Sequence, residues 1–131
     1  MFLKLNHQKL VVYNAARQFV FECYKLTKYL PADEKFGMIS QIRRAALSVH
    51  LNIAEGASRK SETERRRYYE ISRGSIIEID AAFDIAEGLE YFSSCSKENL
   101  GNSMTKCFKF LTGLINSQTN IPIPLTRQTK V

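Results

Sequence analysis

A chain of 131 residues, 44% of them hydrophobic, fits a single domain that can bury one sizeable core without metals or disulfides. Nineteen lysines and arginines against thirteen aspartates and glutamates give a formal charge of +6 and a sequence pI of about 9.3, a balance that suits a polyanionic partner. Two of those cations, Arg127 and Lys130, sit in an acid-free C-terminal stretch, and many small proteins with no nucleic-acid role are equally basic.

Cys23, Cys95 and Cys107 form no C-x-x-C pair, and an odd number of cysteines reads as free thiols in a reducing compartment, serving as small apolar core residues. The first residues, Met1-Phe-Leu-Lys-Leu-Asn-His7, hold no apolar run of the kind an export signal needs. No segment reaches the ~20 apolar residues of a membrane span. The expected location is the cytoplasm, with no membrane contact.

Punctuation residues cut the chain into four segments of helical periodicity, and none reads as a strand. The first helix is expected over about residues 7–29, with Leu10, Tyr13, Arg17, Val20, Tyr24 and Thr27 along one stripe. Val12, Ala16, Phe19, Cys23 and Leu26 widen it, and Pro31 ends the helix. Asp33 is the expected N-cap of a second helix over 34–57, where Ile39, Ile42, Ala46, Val49 and Ile53 form the cleanest seam in the sequence. Ser61-Glu-Thr-Glu64 is a capping box that opens a third helix over 62–92. Its expected seam is Tyr68, Ile71, Ser75, Glu78, Ala82, Ile85 and Leu89. After a polar turn, a fourth helix over 97–117 buries Leu100, Met104, Cys107, Phe108, Leu111, Leu114 and Ile115. Residues 119–131, with Pro122 and Pro124, are expected to form a flexible tail. Short connections favour an all-α, antiparallel up-down-up-down four-helix bundle over residues 1–118.

The second and third segments bring together Pro31-x-x-Glu34-x-Phe36-Gly37, Gln41-Ile-Arg-Arg-Ala-Ala46, Ser48-Val49, Asn52-Ile-Ala-Glu-Gly56, Arg59, Ser61 and Gly74-Ser75-x-x-Glu78. This set closely resembles the four-helix-bundle family encoded by 23S rRNA intervening sequences, and it is densest from Tyr24 to Asp80. The resemblance implies an antiparallel bundle that assembles into a homopentamer. It also implies kinship in fold with the accessory protein of diversity-generating reverse transcriptases, and association with nucleic acid without a defined activity. His50 stands where that family usually has proline, Arg73 where it has a small residue, and its first-helix tryptophan is absent.

Arg59, Lys60, Arg65, Arg66 and Arg67 cluster where the second helix hands over to the third, and Tyr68 and Tyr69 follow directly. Arginine beside an aromatic ring can combine phosphate contact with base stacking, and Arg73 adds a further charge. The competing reading is a solvated helix start or an intersubunit surface, since three successive arginines fan out over about 200° of a helix. Arg43 and Arg44, beside the clean seam, are expected to join Glu55 and Glu78 in a structural network across helices or subunits. Asn52 and Ser75 are expected to fix helix register by buried hydrogen bonds. His7 and His50 have no companion at ligand spacing, and no nucleophile elbow or phosphate loop is present, so neither a metal, a cofactor nor an enzymatic site is expected. Leu47, Leu51, Ile77 and Ile79 lie off the seams and suit a second copy or a protein partner such as a reverse transcriptase. The leading expectation is an oligomeric RNA- or DNA-associated accessory protein, and the alternative is a protein-interaction module.

Overall fold

The computed structural model describes residues 2–5 and 10–118, so the expected tail and the first residues of the expected first helix lie outside the described residues. Four α-helices make up the described fold: α1 (Val11–Thr27), α2 (Met38–Ala57), α3 (Glu62–Gly88) and α4 (Glu98–Ser117). No strand occurs among the described residues. Helix α1 packs on α2 and α4, and α3 packs on the same two, which places the helices at the corners of a square.

Pairs of contacts fix their directions. Across α2 and α3, the Ser72 hydroxyl donates to the Val49 carbonyl (2.7 Å), the Ser75 hydroxyl to the Ser48 hydroxyl (3.0 Å), and the Gln41 amide to the Glu78 carboxylate (2.7 Å). Residue numbers rise on one helix as they fall on the other, so the pair is antiparallel. The same inversion joins α1 to α2, where Tyr13 stacks on His50 and Arg43 reaches Thr27. It joins α3 to α4 through Lys97 with Glu87 and Arg73 with Thr112. The beginning of α1 and the end of α4 share one groove, lined by Val11, Val12, Gly113 and Leu114. The bundle is therefore up-down-up-down, as short connections favour.

The core is built from the expected seams of three helices, save that Arg17 of the first stripe is exposed. Phe19, Cys23, Ile42, Val49, Ile53, Cys107 and Leu111 are all buried. Each buried aliphatic or aromatic side chain contributes about 1.5–3 kcal/mol relative to exposure. The Cys107 thiol is pushed up to about 12 by burial, and burial likewise raises Cys23, so both behave as apolar side chains.

Helix α3 is the exception. Its inward stripe is Tyr69, Ser72, Ile76, Ile79, Phe83 and Ala86, one residue on from the expected seam. Ile71, Glu78, Ile85 and Leu89 of that expected seam are exposed, whereas Ile79, read as off-seam, is fully buried. Both stripes have three-four spacing. Burying Glu78 would require desolvating a carboxylate, so the stripe richer in apolar side chains turns inward.

Two helix ends also differ from expectation. Asp33 does not cap α2. The chain instead makes a tight 3-10 turn over Ala32–Glu34 after Pro31, and α2 begins at Met38, whose N–H donates to the Glu34 carboxylate (3.2 Å). Helix α3 stops at Gly88 rather than 92 because Glu90 adopts a left-handed φ of 64°. The Tyr91 N–H then bonds the Ala86 carbonyl (3.0 Å) and the Glu90 N–H the Glu87 carbonyl (2.9 Å), the paired bonds of a Schellman stop. Tyr91 donates its hydroxyl to Glu34 (2.9 Å), tying this stop to the α1–α2 connection. At the other end of α3, the expected capping serine is confirmed: Ser61 accepts from the Glu64 N–H (3.1 Å).

Gly56 packs tightly against α3, since a Cβ there would lie 2.9 Å from both Tyr68 and Tyr69. Gly56→Ala is expected to lower stability by about 1–3 kcal/mol through overpacking, overriding alanine's helical advantage. Glu90→Gly is expected to raise it by about 1 kcal/mol, because glycine adopts the left-handed conformation without steric cost. Urea unfolding monitored by circular dichroism checks both, and a stable Gly56→Ala protein would contradict the close packing.

Candidate nucleic-acid interface

The four-residue connection between α2 and α3 carries Arg59 and Lys60, and the first turns of α3 carry Arg65, Arg66 and Arg67. The eight residues expected to contact nucleic acid divide by what their side chains already hold. Arg65 turns inward. Its guanidinium donates to the carbonyls of Arg59 (3.0 Å) and Lys60 (2.8 Å) and to the Gln118 side chain at the end of α4 (2.9 Å). It clasps the turn to the bundle. Arg73, two turns further on, also faces α4, donating to Thr112 (3.1 Å) with its guanidinium 5.8 Å from the Phe108 ring.

Tyr69 is 2% exposed, which removes it as a stacking platform. Burial raises its hydroxyl pKa while the Arg65 charge pulls the other way. This corrects the expectation for Tyr69, and the cause is the close α2–α3 approach at Gly56, which draws its ring into the core.

The remaining cations face outward. Arg59 pairs with Glu55 and lies 5.2 Å from the ring of half-buried Tyr68, while Arg66 pairs with Glu70 (3.1 Å). Lys60 and Arg67 are exposed, and neither side chain forms an ion pair among the described residues. Between residues 55 and 70, five cations meet four carboxylates, so the end of the bundle is a mosaic rather than a uniform positive field.

The expected arginine–carboxylate network is not what joins the helices. Glu78 is exposed and bonds Gln41, Glu55 bonds Arg59 across one helical turn, and Arg44 is exposed without an ion pair among the described residues. Arg43 serves neutral groups, donating to the Thr27 hydroxyl (2.8 Å) and lying 4.7 Å from the Tyr24 ring. Arg44, Glu55 and Glu78 stay at the surface because removing a charge from water costs several kcal/mol. Hydroxyls and one amide take the interior role: Asn52 donates to the Ser48 hydroxyl (3.0 Å), which accepts from Ser75. Ser48 and the buried Ser72 were missed as register-fixing groups. Spacing does not single them out, because Ser48 stands beside the clean seam rather than on it and Ser72 falls on the stripe of α3 next to the expected one.

No group of three or more His, Cys, Asp or Glu side chains converges as a metal site among the described residues, and none of their helices is long and apolar enough to cross a membrane.

A family profile described as "23S rRNA-intervening sequence protein" matches residues 8–113. The fold is similar to the crystal structure of a protein of unknown function from the S23 ribosomal protein family of Bacteroides thetaiotaomicron. That similarity has a TM-score of 0.72 and 25% identity, covering 81% of this chain and 96% of that one. No curated protein matches the chain.

If Arg65 is a clasp, Arg65→Ala should cost about 1–3 kcal/mol by stranding two turn carbonyls and Gln118, whereas Lys60→Ala should change stability by less than about 0.5 kcal/mol. Thermal melts of the two variants decide this, and equal melting temperatures would place Arg65 among the free surface cations.

Proposed function

Because the chain belongs to the 23S rRNA-intervening sequence protein family, we propose that it is a non-enzymatic, self-assembling accessory protein that contacts nucleic acid through the turn between α2 and α3. One observation carries the reading: Lys60 and Arg67, exposed and without an ion pair among the described residues, lie at the same end of the bundle as the Arg59–Tyr68 stack. Arg66 can exchange its exposed Glu70 partner for a phosphate, because a surface pair at i,i+4 contributes only about 0.3–0.5 kcal/mol. Arg65 and Arg73 support the site from behind. A single protomer offers few contacts, so self-association into the pentamer that the resemblance implies would multiply them by avidity.

A second reading, a module that docks another polypeptide such as a reverse transcriptase, is favoured by the outward Leu47, Leu51 and Ile77.

Fluorescence anisotropy of labelled single-stranded RNA and duplex DNA tests the proposal. With about four phosphates neutralised per protomer, single-strand affinity should fall by roughly 50-fold between 50 and 200 mM salt. Lys60→Glu with Arg67→Glu should abolish most of it. Binding that ignores salt or survives that double substitution contradicts the proposed contact, and absence of binding to either nucleic acid favours the protein-partner reading.

A further inference from the structure

The exposed stripe of α3 has a counterpart on α2. Leu47 is 43% exposed and Leu51 59%, on the outward face of α2; Ile71 is 46% exposed on the outward face of α3. Gly74 is exposed as well, and an added Cβ there would meet no atom within 4 Å, so it forms an open notch. Isolated exposed leucines need no explanation, but two aligned stripes at heptad spacing on neighbouring helices do.

Charge sits at matching heights on the two stripes. The bonds Ser48–Ser75, Val49–Ser72 and Gln41–Glu78 set the level of α2 against α3. On that register Arg44 is level with Glu78, Leu47 with Gly74 and Leu51 with Ile71. Each layer of α2 therefore has a complementary layer on α3, cation to acid and large to small or large to large.

We infer that the outer stripe of α2 docks on the outer stripe of α3 of a second copy of this chain, with Arg44 paired to the neighbour's Glu78 and Leu47 seated in its Gly74 notch. A rotation axis parallel to the bundle leaves every residue at its own height, so the levels that match within one protomer also match between neighbours. The helices at this contact run antiparallel, as α2 and α3 already do. The Arg44 guanidinium has no ion pair to surrender among the described residues, and Glu78 uses one oxygen for Gln41 and keeps the other. The contact joins two different faces, so it is heterologous, and faces about a quarter turn apart on a square bundle close such a contact into a small ring. This interface rests on the self-assembly reading and names the surface that performs it.

Light-scattering mass of the purified full chain tests it, with circular dichroism confirming helix content and melting of each variant. The wild type should be a multimer. Leu51→Glu should reduce it to the 15.0 kDa protomer. Arg44→Glu should raise the concentration needed for assembly by about tenfold or more through like-charge contact with Glu78, and adding Glu78→Arg should restore assembly. All three substituted positions are exposed, so helix content should persist. A wild-type monomer overturns the assembly reading and this interface together. A wild-type multimer whose mass survives both Leu51→Glu and Arg44→Glu overturns the interface alone, and a double variant that stays dissociated overturns the Arg44–Glu78 pairing.

Discussion

The closeness of α2 and α3 is the constraint on which the rest of the structure depends. Gly56 lets α2 lie against the Tyr68 Cβ and the Tyr69 ring, and Ser72 donates to the Val49 carbonyl two turns back along α2. Only a residue without a side chain fits at the first point, and only a short hydroxyl reaches at the second. Together they fix separation and register, where apolar packing alone would tolerate a slide of one turn. The short connection then has no freedom left, and Arg65 fastens its carbonyls to the end of α4.

Much of this architecture is legible in the residues. The apolar spacing of α1, α2 and α4 gives their inward faces, and Ser61 with Glu64 gives the start of α3 to the residue. The inward face of α3 is not legible from spacing, because Tyr68–Ile71–Ser75 and Tyr69–Ser72–Ile76 are both three-four stripes, about 100° apart. The decision falls on composition: Ile79 and Phe83 outweigh Glu78 and Ala82 as core residues. The end of α3 is hidden for another reason. A Schellman stop usually announces itself with glycine, and here Glu90 takes the left-handed position while Gly88 lies inside the helix. In α2, Pro31 and Asp33 mark a real start, but of a short 3-10 turn, and the α-helix resumes only after Gly37.

The candidate interface was legible as a cluster and not as a division of labour. Composition cannot tell a cation that meets solvent from one that holds the fold. The distinguishing signal is phase. Arg65 and Arg73 lie four residues either side of the buried Tyr69, so both stand over the α3 face that turns toward α4. Lys60 precedes the helix and Arg67 is half a turn away from that face, and these two have no ion pair among the described residues. The same reasoning explains why cross-helix arginine–carboxylate pairs did not form. A bundle this small has no volume in which two charges are remote from water, so long side chains reach the surface and short hydroxyls serve the interior.

The relation between the two proposed surfaces follows from where they sit. The basic turn lies at one end of the bundle, while the α2 and α3 stripes run along its side. Rotation about an axis parallel to the helices uses the side and leaves every end exposed, so all the turns would gather on one rim of the proposed ring. Each turn has few unpaired cations and nearly as many acids as bases, too little for firm binding by one protomer. Repetition at fixed spacing turns later contacts into intramolecular ones, and a patch that is weak once becomes effective when a single strand follows the rim. Burying the apolar stripes and concentrating the basic turns are, on this geometry, consequences of the same contact.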